Sequence, residues 1–116
     1  MNLESLFYTI LAPHVPYAFP LVLPESPTLP AATYTFVGGT ANPTLNTSGL
    51  TRYRVEVSCW GNSYSDAVTL RSSVKAALNG YTDPNMTIEW VRSTDFFEHE
   101  SLQYRCLAEF IILSTL

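Results

Sequence analysis

Thr51-Arg-Tyr-Arg-Val-Glu-Val-Ser-Cys-Trp-Gly-Asn-Ser-Tyr-Ser-Asp-Ala-Val-Thr-Leu-Arg-Ser-Ser-Val-Lys-Ala-Ala-Leu-Asn-Gly80 contains both periodicities of a mixed fold. From Thr51 to Trp60 the alternation is strict. Tyr53, Val55, Val57 and Cys59 take one face, and Arg52, Arg54, Glu56 and Ser58 the other, which predicts a half-buried strand over 51–60. Gly61-Asn62 breaks it. Ser63 and Asp66 then have capping-box spacing, Ala67, Leu70, Val74, Ala77 and Leu78 form one apolar stripe, and Gly80 stands where a helix stops, predicting a helix over 63–79.

Working outward, Asp83-Pro84-Asn85 reads as a turn, and Met86, Ile88 and Trp90 alternate with Thr87, Glu89 and Val91 in a strand over 86–92. Ser93–Glu100 (STDFFEHE) reads as an acidic loop with two aromatics. The last strand covers 102–113, with Tyr104, Cys106, Ala108, Phe110 and Ile112 inward and Gln103, Arg105 and Glu109 outward. Leu107, Ile111 and Leu113 on its second face predict a central or doubly covered strand.

Toward the N-terminus, Asn2 is a fair cap for a helix over 2–12, with Leu3, Leu6, Phe7, Ile10 and Leu11 at 3-4 spacing and Pro13 at its end. Residues 13–30 carry six of the eight prolines, which predicts an extended strap with one short edge strand near Ala18–Val22. Its interleaved apolar residues suit a strap lying across the domain or a neighbour. Tyr34 and Phe36 share a face in a strand over 32–37, and 38–50, uncharged and rich in Gly, Asn, Thr and Ser, reads as a long mobile hairpin loop. The expected fold is one α+β domain: a largely antiparallel sheet of about four to five strands with two helices on one face.

Composition narrows the function. Hydrophobic residues at 47% against 14% charged exclude a disordered chain. Six cations against ten acids give a net charge of −4 and leave no basic patch for gripping duplex DNA. Met1-Asn2-Leu3-Glu4 lacks the cationic start of a signal peptide, and no apolar run is long enough for a membrane helix. The expectation is a soluble protein of a reducing cytoplasm with no membrane partner, Cys59 and Cys106 being free thiols that fill the core.

Chemical motifs are few. There is no phosphate-binding glycine loop, and His14, His99, Cys59 and Cys106 stand apart, so no metal or cofactor is expected. Glu98-His99-Glu100 could serve as a general base between carboxylates, but reads better as a solvated loop. Asp95, Phe96, Phe97 and Glu98 suit a contact loop in which rings anchor and charges set register. The residues alone describe a scaffold without a reaction centre, and no enzyme.

The segment Thr51–Gly80 resembles the small tail completion proteins of long-tailed bacteriophages, which are head-to-tail joining or tail-terminator proteins. The resemblance rests on the strand with Arg52, Val55, Cys59 and Trp60, the polar turn, Tyr64 and Ala67, and the helix ending at Leu78-Asn79-Gly80. It extends to Leu6–Ala12 with the strap behind it, to Thr33–Val37, and to the closing Tyr104-Arg105 and Phe110. The uncharged loop Gly39–Leu50 departs from the family pattern.

This resemblance implies a structural virion protein assembled in the host cytoplasm. Its copies would form a homo-oligomeric ring, a hexamer, at the head-proximal end of the tail. The ring would dock on the tail tube protein and the head connector, and DNA would pass without being specifically bound. Expected subunit contacts are Arg52, Arg54, Glu56, Arg105 and Glu109 on the strands, with Asp95, Phe96, Phe97 and Glu98. Gly39, Asn42, Thr44 and Asn46 would meet a ring partner or the channel. Two alternatives stay open: another tail or baseplate adaptor, or a small ligand-binding or enzymatic domain using Glu98-His99-Glu100 with Trp60 or Trp90.

Overall fold

Strand β3 (Thr51–Gly61) pairs antiparallel with β6 (Gln103–Ser114) from Thr51↔Ser114 to Gly61↔Tyr104 without a break. This is seen in a computed structural model that describes residues 2–25, 27–41, 51–98 and 103–115. Strand β2 (Ala31–Ala41) flanks β3, and β5 (Met86–Glu98) flanks β6. Short strands β1 (Ala18–Pro20) and β4 (Thr82–Asp83) complete a six-stranded sheet in the order β1-β2-β3-β6-β5-β4. Among the described strands, only β1 with β2 is parallel. Helices α1 (Leu3–Leu11) and α2 (Tyr64–Leu78) contribute to one core with residues from a single face of the sheet.

The alternation read in β3 decides that face. Val55, Val57 and Cys59 are fully buried, as are their partners Phe110, Ala108 and Cys106 on β6. Phe7 of α1 lies 5.6 Å from both the Tyr34 and Phe36 rings, so the first helix is pinned by aromatic contacts on β2. Leu70, Val74 and Leu78 bring α2 into the same core. Asn2 caps α1 by accepting from the Ser5 amide at 2.8 Å, and Ser63 caps α2 by accepting from the Asp66 amide at 3.1 Å. Gly80 has φ of 82°, the left-handed conformation that lets the chain leave α2.

The fold class stands as expected, with one more strand than the upper count. Two boundaries move. Ser93–Glu98 is not loop: β5 continues to Glu98, because β6 is long enough to pair with it down to Gln103. The expected loop at 38–50 also starts later, since β2 runs to Ala41 opposite Thr51. Asn42, Thr44, Asn46, His99 and Glu100 lie outside the described residues. Both cysteines are buried free thiols facing each other across the β3–β6 pair. Burial pushes the Cys59 thiol up to about 12 and the Cys106 thiol up to about 11, with the neighbouring Asp95 adding to the second.

Gly61 is where α2 is allowed to approach β3. A Cβ there would sit 2.8 Å from the Ala67 amide nitrogen and 3.0 Å from the Ser63 carbonyl oxygen, both main-chain atoms that cannot rotate away. Gly61→Ala is therefore expected to lower stability by about 1–3 kcal/mol. Gly80→Ala, which meets open space but a positive φ, should lose only about 1 kcal/mol. Urea denaturation of the two variants checks the order; equal losses would mean that the close approach at Gly61 is not tight.

Candidate functional site

The face of the sheet opposite the helices is where the charges gather. Arg52, Arg54 and Glu56 of β3, Arg105 and Glu109 of β6, and Glu89, Arg92 and Phe96 of β5 fall in register on it. Four of the chain's six cations are therefore on one surface; the other two, Arg71 and Lys75, are on α2.

Glu109 is the centre of this surface. It is only 7% exposed and would be costly to bury alone, yet its two oxygens are met from both sides. Arg54 Nε lies 2.8 Å from one and Arg92 Nε 2.9 Å from the other. Arg54 also reaches Glu56 at 3.9 Å. The Arg105 guanidinium stacks at 4.4 Å over the Phe96 ring and 5.4 Å from the Trp60 ring, and the Trp60 indole donates to Thr33 Oγ1 at 3.1 Å. Much of the charge on this face is thus neutralised within the chain, although Arg52, Arg54 and Arg92 are exposed and only Arg105 is half-buried.

A β-bulge at Val91 decides which β5 residues join. Trp90 faces Phe110 and Arg92 faces Glu109, so Val91 is the extra residue and the alternation flips behind it. Without it, Arg92 would point at the helices and Asp95 at the charged face. With it, Asp95 faces Cys106 on the helix side. There its carboxylate accepts from the Tyr64 hydroxyl at 2.6 Å and from Arg71. The Tyr64 bond, and after it Arg71, hold the Asp95 carboxyl below the usual carboxylate range despite some burial. The same bond pushes the Tyr64 hydroxyl up.

The expected Asp95–Glu98 contact loop is therefore a strand whose side chains divide between two faces. Phe96 belongs to the charged face, while Phe97 packs on Tyr104 with ring centroids 4.8 Å apart. Glu98 ends β5 opposite Gln103, and Gly39 sits in β2 opposite Tyr53, past a second bulge between Phe36 and Gly39. Arg52, Arg54, Glu56, Arg105 and Glu109 do share one surface. Arg92, which closes the carboxylate network, and the Tyr64–Asp95–Arg71 cluster were not foreseen, because no local signal in β5 announces the bulge. Among the described residues no three His, Cys, Asp or Glu side chains come together as metal ligands.

Two outcomes follow from this geometry. Removing both guanidiniums (Arg54→Ala with Arg92→Ala) leaves a carboxylate nearly out of water, and should cost about 2–4 kcal/mol in urea unfolding. Adding Glu109→Gln should return most of that loss; no recovery would show that Glu109 is not the group being neutralised. The depressed Asp95 contributes stability that is complete above its ordinary pKa and is lost as pH falls through its lowered folded value. Asp95→Asn should therefore flatten the acid limb of the stability–pH curve, and an unchanged limb would remove Asp95 from that role.

Known proteins share this architecture without sharing the sequence. No protein-family model matches the chain, and no curated protein matches it. Among solved structures it is similar to a chain from the virion of a native gene transfer agent (GTA) particle. The TM-score is 0.59 at 10% identity, and the match covers 97% of this chain and 86% of that one. At that identity the likeness is one of fold: nearly the whole chain, helices and sheet together, follows a path that a protein of that particle also takes.

Proposed function

We propose that this chain is a structural protein of a phage-like virion. Its copies form a ring, a hexamer, at the head-proximal end of the tail, where the ring ends the tail tube and joins it to the head connector. The observation that carries this reading is the fold likeness to a gene transfer agent virion chain over 97% of this chain. The residue-level resemblance to tail completion proteins points the same way.

The chemistry agrees. A genome conduit should not trap phosphates, and a chain of net charge −4 whose arginines are largely occupied by Glu109, Glu56, Trp60 and Phe96 offers DNA little to hold. Ring contacts are heterologous and need two different surfaces per copy. The charged face with Arg52, Arg54, Glu56, Arg105 and Glu109, the aromatics Phe96 and Phe97, and the segment from Gly39 through Asn42, Thr44 and Asn46 are the surfaces assigned to neighbours or to the bore. The strap offers another, since Leu21 and Val22 are 67% and 73% exposed. The role is one of masonry, without a reaction step, cofactor or membrane.

Deleting the gene from a particle-producing strain tests this. Electron microscopy should show filled heads separate from tails, or tails of uncontrolled length, and the particles should be inactive. Joined, active particles of normal tail length would overturn the proposal.

A further inference from the structure

Among the described residues, the long strands β2 and β5 next to the short outermost strands are covered over only about half their length, and the uncovered halves are at opposite ends. On β2, β1 pairs with Ala32–Tyr34, and Leu21 donates to the Tyr34 carbonyl; among the described residues nothing pairs with the outer side from Thr35 to Ala41. On β5, β4 pairs with Met86 and Thr87, the Ile88 amide donates to the Tyr81 carbonyl while the Gly80 amide donates to the Ile88 carbonyl, and the Asn79 side chain accepts from the Trp90 amide. From Val91 to Phe96 the outer side has no described main-chain partner. Neither stretch contains a proline or lysine, the residues with which proteins usually blunt an edge. We infer that these two half-edges are made for each other: β5 of one copy pairs antiparallel with β2 of the next, so that the ring of the proposed function, on which this inference rests, is closed by a continuous sheet.

The polarity fits. β2 and β6 run one way and β3 and β5 the other, so β5 meets a neighbour's β2 antiparallel in any ring whose axis leaves strand direction unchanged. The hydrogen-bonding groups fit as well. Bonds from Ala32 to Tyr17 and from Ile88 to Tyr81 show that helix-face residues direct their main-chain groups to the edge. Past the bulges those residues are Ser93 and Asp95 on β5, and Gly39 on β2.

The offset fits a closed ring. Gly39 is in the row of Tyr53, Ile112 and Ile88, whereas Ser93 and Asp95 face Ala108 and Cys106, four and six places along β6 from Ile112. Pairing either with a neighbour's Gly39 shifts successive copies by about 13–20 Å along the strands, against about 19 Å across four strands. That corresponds to a strand tilt of about 35–46°, the range in which sheets close into barrels. With Asp95 opposite Gly39, β1 of one copy lies beyond the end of its neighbour's β5, and that neighbour's β4 beyond the end of β2, so the short strands act as stops. β3 and β5 are parallel with α2 crossing between them, and such connections are right-handed in nearly all proteins. With that hand, the shift tilts the strands as right-handed strand twist requires when the helices are outside. The Arg–Glu face is then directed at the bore.

Native mass spectrometry and hydrogen exchange on the full chain, alone and added to tail tubes, test the pairing. Assembly should slow exchange within Val91–Phe96, at the outward Ser93 and Asp95 amides, about tenfold or more. Ser93→Pro, which removes an outward amide and leaves the β6 ladder intact, should weaken assembly about tenfold while far-ultraviolet dichroism is unchanged. If Ser93→Pro does not fold, the exchange result on the natural chain decides. Rings in which Val91–Phe96 exchanges as fast as in the monomer overturn the edge pairing and leave the ring standing, and so does a ring unaffected by a folded Ser93→Pro. A two-fold dimer through β5, or a chain that stays monomeric even on tail tubes, overturns both.

Discussion

The β3–β6 ladder, unbroken from Thr51↔Ser114 to Gly61↔Tyr104, is the constraint on which the rest depends. It puts Cys59, Val57 and Val55 opposite Cys106, Ala108 and Phe110, so one face of two central strands is apolar over most of its length. Both helices must cover that face, and every charged residue of these strands is forced to the other. A slip of one residue would bring Arg54 and Glu109 under the helices, which is why the register is so strongly determined.

The outer strands obey this register until a bulge changes it. In β5 the extra residue Val91 sends Arg92 to Glu109 and Asp95 to Tyr64 and Arg71. A single inserted residue thus completes a carboxylate network on one face and ties the far half of β5 to α2 on the other. The second tie supports a strand stretch that, among the described residues, has no main-chain partner on its outer side. An edge that is held straight but left unpaired differs from a frayed one: its main-chain groups are already arranged for pairing, and little further ordering is required when a partner arrives.

Most of the described groups that carry charge or reactivity are engaged within the fold. Arg54 and Arg92 are engaged by Glu109, Arg105 by aromatic rings and Arg71 by Asp95, the thiols are buried and pushed away from ionisation, and among the described residues the outer sides of β2 and β5 are covered only at two diagonal ends. The fold is one it shares with a gene transfer agent virion chain.

Residues 51–80 were enough to read a mixed α and β fold, the inward face of β3, the Ser63 cap of α2 and its end at Gly80, because each depends on a local period or a local backbone requirement. The sequence by itself also placed Arg52, Arg54, Glu56, Arg105 and Glu109 on a common kind of surface, outward positions of alternating strands. Only the tertiary structure decided that Ser93–Glu98 is strand, since its partner lies on β6 and local composition favours a loop. It alone decided that Arg92 joins the charged face while Asp95 leaves it, because a bulge is a fact about two strands in register and neither strand carries it alone. The same holds for the open half-edges: whether a strand's outer side is covered depends on where distant segments such as β1 and β4 come to rest, which no short window of residues records.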